Sequence, residues 1–214
     1  PGLKSGITPP APKKLRVGHY NLQDFKIPPA AFDGTRNEFF KSDDPSLKPA
    51  WAARSIVRMI ESERPDVLFL SEIGNRESLE ILSKQLGDIF EVVMFDGNDR
   101  RGIDIAVLVR KSLPFEVSVQ SHRAIGHDYL GRYVPLFSRD FLLLELRAKG
   151  ESHPRIRLGA SHFKAMLDSS GDPASVLKRM AQIDGALQIF QSLRLEKTDS
   201  KTEVPEILLG DFNS

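Results

Sequence analysis

Apolar residues recur along this chain in two rhythms. Val67-Leu68-Phe69-Leu70 and Ile207-Leu208-Leu209 are short unbroken runs bounded by turn formers, the pattern of buried strands. Leu15 to Leu22, Ile89 to Phe95, Ile103 to Val109, Phe115 to Val119, Asp140 to Leu146 and Ile156 to Ala160 read as further strands. Ala52, Ile56, Met59 and Ile60 keep helical spacing after Pro49, and that helix must stop before Pro65. Leu79, Leu82 and Leu86 mark a second helix closed by Gly87. The clearest helical periodicity is Val176, Met180, Ile183, Leu187 and Phe190, opened by Asp172 as N-cap and Pro173 in the first turn; these apolar positions are expected to face the core. Strands alternate with helices and some strand pairs are joined directly. This predicts an α/β fold of layers, with two mixed sheets packed face to face between outer helices.

Other stretches lack a period. Residues 1–14 contain Pro1, Pro9, Pro10 and Pro12 and read as a flexible arm, leaving 15–214 as the folded domain. Lys26 to Lys48 reads as a long loop, and loops of that length within a domain are usually functional or mobile. Ser121 to Pro135 carries Gly, His and Arg without a readable motif, and Glu196 to Val204 is a polar loop.

Composition narrows the function classes. A chain of 214 residues suffices for one sizeable domain, and 40% apolar with 28% charged residues is ordinary for a globular protein. The net charge is +1, from 30 basic and 29 acidic residues, so any affinity for phosphates must be local. The absence of cysteine excludes disulfides, thiolate metal sites and Cys nucleophiles. It is compatible with the cytosol and with export; the reading leans to a secreted or periplasmic location. No apolar run approaches a membrane span.

The polar residues that matter stand where apolar runs end. Asn21, Glu72, His162 and the Asp211/Asn213 pair each follow a strand at its carboxyl end, the place where α/β proteins hold ligands. Gly210 lets the backbone leave the last strand in a conformation disfavoured for a side chain, and continued extension sends Asp211 and Asn213 to one side and Phe212 to the other. Asp104 lies inside an otherwise apolar strand, where an unpaired carboxylate costs roughly several kcal/mol. Each has a plainer reading. Asn21 and Asp-x-Asn can be Asx turns, Glu72 a turn cap, His162 a structural histidine, and Asp104 a partner of Arg101. His19, His122, His127 and His153 take the plainer reading.

Five segments together resemble the endonuclease/exonuclease/phosphatase superfamily: His19-Tyr20-Asn21-Leu22, Pro65 to Glu72, Arg101 to Leu108, Ser161-His162-Phe163 and Leu209 to Asn213. They occur in the family's order from 15 to 213, with a local flavour closer to bacterial nuclease-like members than to inositol phosphatases or sphingomyelinases. The resemblance implies a DNase I-like four-layer α/β sandwich and a divalent-metal-dependent phosphodiesterase acting on nucleic acid. It implies Asp211 as the group that orients or deprotonates the attacking water and Asn213 as a holder of the phosphate or of a metal-bound water. His162 would be the donor to a phosphate oxygen, oriented by Asp104 with a raised pKa. Glu72 and Asn21 would hold Mg2+, with Mn2+ or Ca2+ as alternatives. Lys164 and Arg139, with Arg132, are candidates for phosphate contact. A phospholipid or inositol phosphate substrate is the alternative among enzymes, and a non-catalytic phosphate- or partner-binding module the alternative outside them.

Family members carry a further acidic residue and a catalytic His downstream of Gly-Asp-x-Asn. This chain stops at Ser214, so the last strands are expected to be missing and the stretch alone inactive: it reads as one piece of a split protein that a second chain or fragment completes, as a truncated chain, or as a natural short form that binds phosphate without turnover. His122 or His127 could replace that His only if their loop folds over the rim.

Overall fold

The computed structural model describes residues 14–27, 47–195 and 203–213. The amino-terminal arm and most of the long loop and of the polar loop lie outside these. In chain order the elements are β1 (Val17–Phe25), α1 (Ala50–Glu63), β2 (Val67–Ile73), α2 (Arg76–Gln85), β3 (Phe90–Met94), β4 (Asp104–Arg110), β5 (Phe115–Ser121), β6 (Gly126–Tyr129), β7 (Arg132–Pro135), β8 (Phe141–Ala148), β9 (Ile156–His162), a 3-10 turn (Pro173–Ser175), α3 (Val176–Leu195) and β10 (Glu206–Asp211).

One sheet runs β1-β2-β4-β3 and the other β10-β9-β8-β5. In each, one parallel pair at the edge, β1/β2 or β10/β9, joins an antiparallel remainder. Alternation of side chains divides the apolar strands between three cores. Phe69, Val107, Leu142, Leu144 and Leu158 fill the space between the sheets. Leu68, Leu70, Ala106 and Leu108 face outward against Ile56, Ile60, Leu79 and Leu82 of α1 and α2. Phe141, Leu143 and Phe163 face outward against Ala186, Ile189 and Phe190 of α3. The result is the expected four-layer sandwich of the DNase I-like kind.

The face of α3 differs from the periodicity reading. Phe190 is buried, but Val176, Met180, Ile183 and Leu187 are 40–56% exposed. The helix carries two apolar stripes, and packing selects the one with small residues. A Cβ on Gly185 would lie 2.3 Å from Leu136 Cδ2, so a larger residue there would push the Leu136 side chain out of its present position. Lys178 and Gln182 are buried on that same side. The helix start also differs: Asp172 reaches past the 3-10 turn and accepts from the Leu177 and Lys178 amides, at 2.9 and 3.1 Å.

The stretch read as a loop over 121–135 contains the hairpin β6–β7. It is tied to the domain through Tyr129, whose hydroxyl donates to Asp172 at 2.8 Å. Among the described residues no helix is long and apolar enough to cross a membrane.

Candidate active site

Both parallel strand pairs end at one rim. β1 approaches β10 there, and β2 approaches β10 and β9. The carboxyl ends of β1, β2, β9 and β10 thus open into a single cleft of about 1060 Å³, which Asn21, Glu72, His162, Lys164, Arg139, Asp211 and Asn213 all line.

The local backbone aims these side chains. Glu72 is the unpaired residue of a bulge in β2: the ladder to β4 shifts between Ser71 and Ile73, and Glu72 has φ 60°. A non-glycine residue held there is strained and re-aimed out of the strand's alternation. Gly210 has φ 141°, and a Cβ on it would sit 1.9 Å from the Ser161 carbonyl oxygen, so glycine is what brings β10 close to β9 at the rim. Phe212 turns away and packs on Phe163, ring centroids 5.1 Å apart. Asn213 donates to the Phe163 carbonyl at 3.0 Å.

Asn21 Nδ2 donates to Asp211 Oδ2 at 2.9 Å across the two sheets, while its Oδ1 accepts from the Gln23 amide at 2.8 Å. The carboxamide therefore holds Asp211 in place and keeps one oxygen lone pair for another ligand. Asp211 also accepts from the Asn213 amide at 3.1 Å. Partial burial opposes its ionisation, but these bonds and the nearby imidazoles of His162 and His19 outweigh it and keep its pKa below the usual carboxylate value. Asp211 is thus a carboxylate at neutral pH.

His162 lies between two acids, with Nδ1 3.8 Å from Glu72 and Nε2 3.8 Å from Asp211. Both distances are too long for hydrogen bonds, and Nδ1 is buried without a partner. Burial, then the Arg139 guanidinium, lower its pKa to about 4, so the ring is neutral at pH 7.

The expected Asp104–His162 pair does not form. Asp104 accepts from the Gly97 amide at 2.8 Å at the head of β4, and burial raises its pKa. Nor does Arg101 pair with it, since Arg101 bonds Asp99 in its own turn at 2.8 and 3.1 Å. Short-range geometry within the turn satisfies both charges locally, and the imidazole pKa moves down rather than up. Asp104 therefore supports the turn beside the cleft instead of orienting His162.

Arg139 is buried and lies 3.5 Å from Asp99 and 3.9 Å from Glu72. Its Nε has no hydrogen-bond partner. Arg132 is exposed on β7 and is not among the cleft-lining residues. His122 packs edge-on against Phe141, and His127 bonds Lys178, so neither loop histidine stands in the cleft. His19, read as structural, bonds Ser71 Oγ at 3.0 Å, and its ring bears on the Asp211 charge. Tyr129 and Lys178 line the cleft too, from the hairpin side; no strand-end pattern marks either.

The donor set decides which metal could fit. Among the described residues no group of three or more His, Asp or Glu side chains could cage an ion. Glu72 accepts from the Asp24 amide at 3.1 Å, and as a carboxylate it keeps further lone pairs. One carboxylate with a neighbouring carboxamide oxygen suits Mg2+, which keeps several waters and takes the rest of its shell from substrate phosphate. Ca2+ prefers more protein oxygens than this.

A family model described as the endonuclease/exonuclease/phosphatase family matches residues 39–214. A search of curated proteins gives no significant match. Among solved structures, a Bacteroides thetaiotaomicron mannosyl-6-phosphatase superposes with TM-score 0.57 at 13% identity, covering 94% of this chain and 66% of its own. The 2',3'-cyclic phosphatase ANGEL2 superposes with TM-score 0.60 at 19% identity, covering 94% and 54%. The human Nocturnin catalytic domain, solved with sulfate bound, gives 0.56 at 18%, covering 76% and 56%. At these identities the likeness is one of fold, and the chain spans about half to two thirds of each structure's length.

Proposed function

The chain belongs to the endonuclease/exonuclease/phosphatase family, and on that premise we propose that its cleft hydrolyses phosphodiesters of nucleic acid with a divalent cation. The observation that carries this reading is His162 set between the carboxylates of Glu72 and Asp211 in one cleft. Asp211, kept ionised and fixed by Asn21, orients the attacking water and accepts its proton. Neutral His162 donates one N–H to a non-bridging phosphate oxygen, and Arg139 supplies positive charge around it. Asn213 completes the phosphate contacts. Glu72, with the Asn21 oxygen, would hold Mg2+; such an ion supplies neutralisation of the phosphate and support for the leaving oxygen.

The test is nicking of supercoiled plasmid by the full-length gene product, with Mg2+ and with EDTA. Activity should require the metal and fall by about 10²–10³ in Glu72→Gln. Metal-independent nicking, or an unchanged rate in Glu72→Gln, contradicts the reading. A sugar phosphate hydrolysed in place of DNA favours the phosphomonoesterase alternative, which the fold shared with the mannosyl-6-phosphatase brings forward.

A further inference from the structure

Among the described residues, buried cations have carboxylates beside them, with one exception. Arg157 lies between Glu145 and Glu206, and Arg139 faces Asp99 and Glu72. Lys178, in the first turn of α3, is only 7% exposed. Its Nζ donates to the Pro135 carbonyl at 2.5 Å and meets His127 Nε2 at 2.8 Å. Both partners are neutral, and no ion pair relieves it among the described residues. Two of three ammonium protons are thus used.

A second cation stands close: the Lys164 amide donates to Gln182 Oε1 at 2.8 Å, and Gln182 is one turn after Lys178 on the buried side of α3. Burial, then repulsion from Lys164, bring the Lys178 pKa down to about 8. The Lys164 side chain has no hydrogen bond or ion pair among the described residues. Both lysines line the cleft that holds Glu72, His162 and Asp211. The Tyr129 ring lies 5.2 Å from Lys178 Nζ and is fixed by its hydroxyl bond to Asp172. Asp172, the acid nearest in sequence, is taken up by the Leu177 and Lys178 amides and the Tyr129 hydroxyl and makes no ion pair with either lysine. Buried lysines are almost always paired, and two neighbouring ammonium groups with no ion-paired carboxylate are relieved by an anion.

We propose that Lys178 and Lys164 form a second anion subsite of the cleft, walled by Tyr129, so that the substrate carries two neighbouring phosphate groups. This rests on the phosphoester reading of the Glu72–Asp211 end. The competing role for Lys178 is a clamp that fastens the β6–β7 hairpin to α3. A clamp gives Lys164 no part, because Lys164 bonds no hairpin atom.

Calorimetric titration of the full-length protein with pyrophosphate and with orthophosphate, in EDTA, separates the two. Wild type should bind pyrophosphate at least about tenfold tighter, a margin worth one charge-assisted contact. Lys178→Met and Lys164→Met should each reduce that preference to about twofold or less. Equal affinities in wild type, or a preference that survives in Lys164→Met, overturn the proposal. Should Lys178→Met fail to fold, Lys164→Met alone decides. Pyrophosphate preference without plasmid nicking leaves the subsite standing and removes the nuclease; nicking without preference does the reverse.

Discussion

Lys178 shows at the scale of one residue how the cleft opposes the fold's own stability. Its native pKa lies near 8, below the ordinary 10.5, because the ammonium ion is buried and faces Lys164. His127 and Tyr129 from β6, and Asp172 ahead of α3, are the other ionisable groups around it. The unfolded chain therefore holds more protons than the native one between these two values, and this group's contribution to stability rises with pH there. The penalty is full below pH 8 and relieved toward 10.5. Lys178→Met should unfold in more urea than wild type at pH 7, with the gap closing by pH 10; a gap that is absent or widens with pH contradicts this assignment. The sequence hid Lys178, since a lysine two residues from both Val176 and Met180, on the side of the helix away from that apolar stripe, looks like a solvated charge. It disclosed Asn21, Glu72, His162 and Asp211, because each breaks an apolar run at a strand's end. Even so, it misjudged the partner of His162: Asp104 looked costly unless paired, yet a backbone amide seven residues earlier satisfies it.

At the scale of elements, periodicity served strands better than α3. In β8, Leu142 and Leu144 point into the inter-sheet core while Phe141 and Leu143 point to α3, so one apolar run serves two cores. Leu144→Ala should cost about 2–5 kcal/mol in denaturant unfolding, because neither sheet can collapse into the void. A loss under 1 kcal/mol would place that core elsewhere. In α3 the longest apolar stripe is exposed, and the buried stripe includes Gly185, Lys178 and Gln182, residues no hydrophobicity pattern selects. Their reason is positional: Gln182 accepts from the Lys164 amide at 2.8 Å, and Gly185 admits Leu136. The hairpin β6–β7 was unreadable because Gly126 to Pro135 alternates too little apolar character to mark strands.

At the scale of the whole molecule, two parallel strand pairs from different sheets bring their carboxyl ends to one rim, and the cleft's chemistry depends on that convergence. No local pattern contains it; the ordered set of strand-end residues does, once the layers are known. Asn21 and Asp211 are 190 residues apart and hydrogen-bonded. Should these groups act as one hydrolytic centre, removing any member removes what the others accomplish together. The most direct measurement is a kinetic cycle on the full-length protein with Glu72→Gln, Asp211→Asn and the double variant, read as Mg2+-dependent plasmid nicking. Glu72→Gln should lower the rate about 10²–10³-fold and Asp211→Asn about 10²–10⁴-fold, and the double should fall no more than about tenfold below the worse single. Losses that multiply in full, or either single variant retaining the wild-type rate, would show that Glu72 and Asp211 do not share one site.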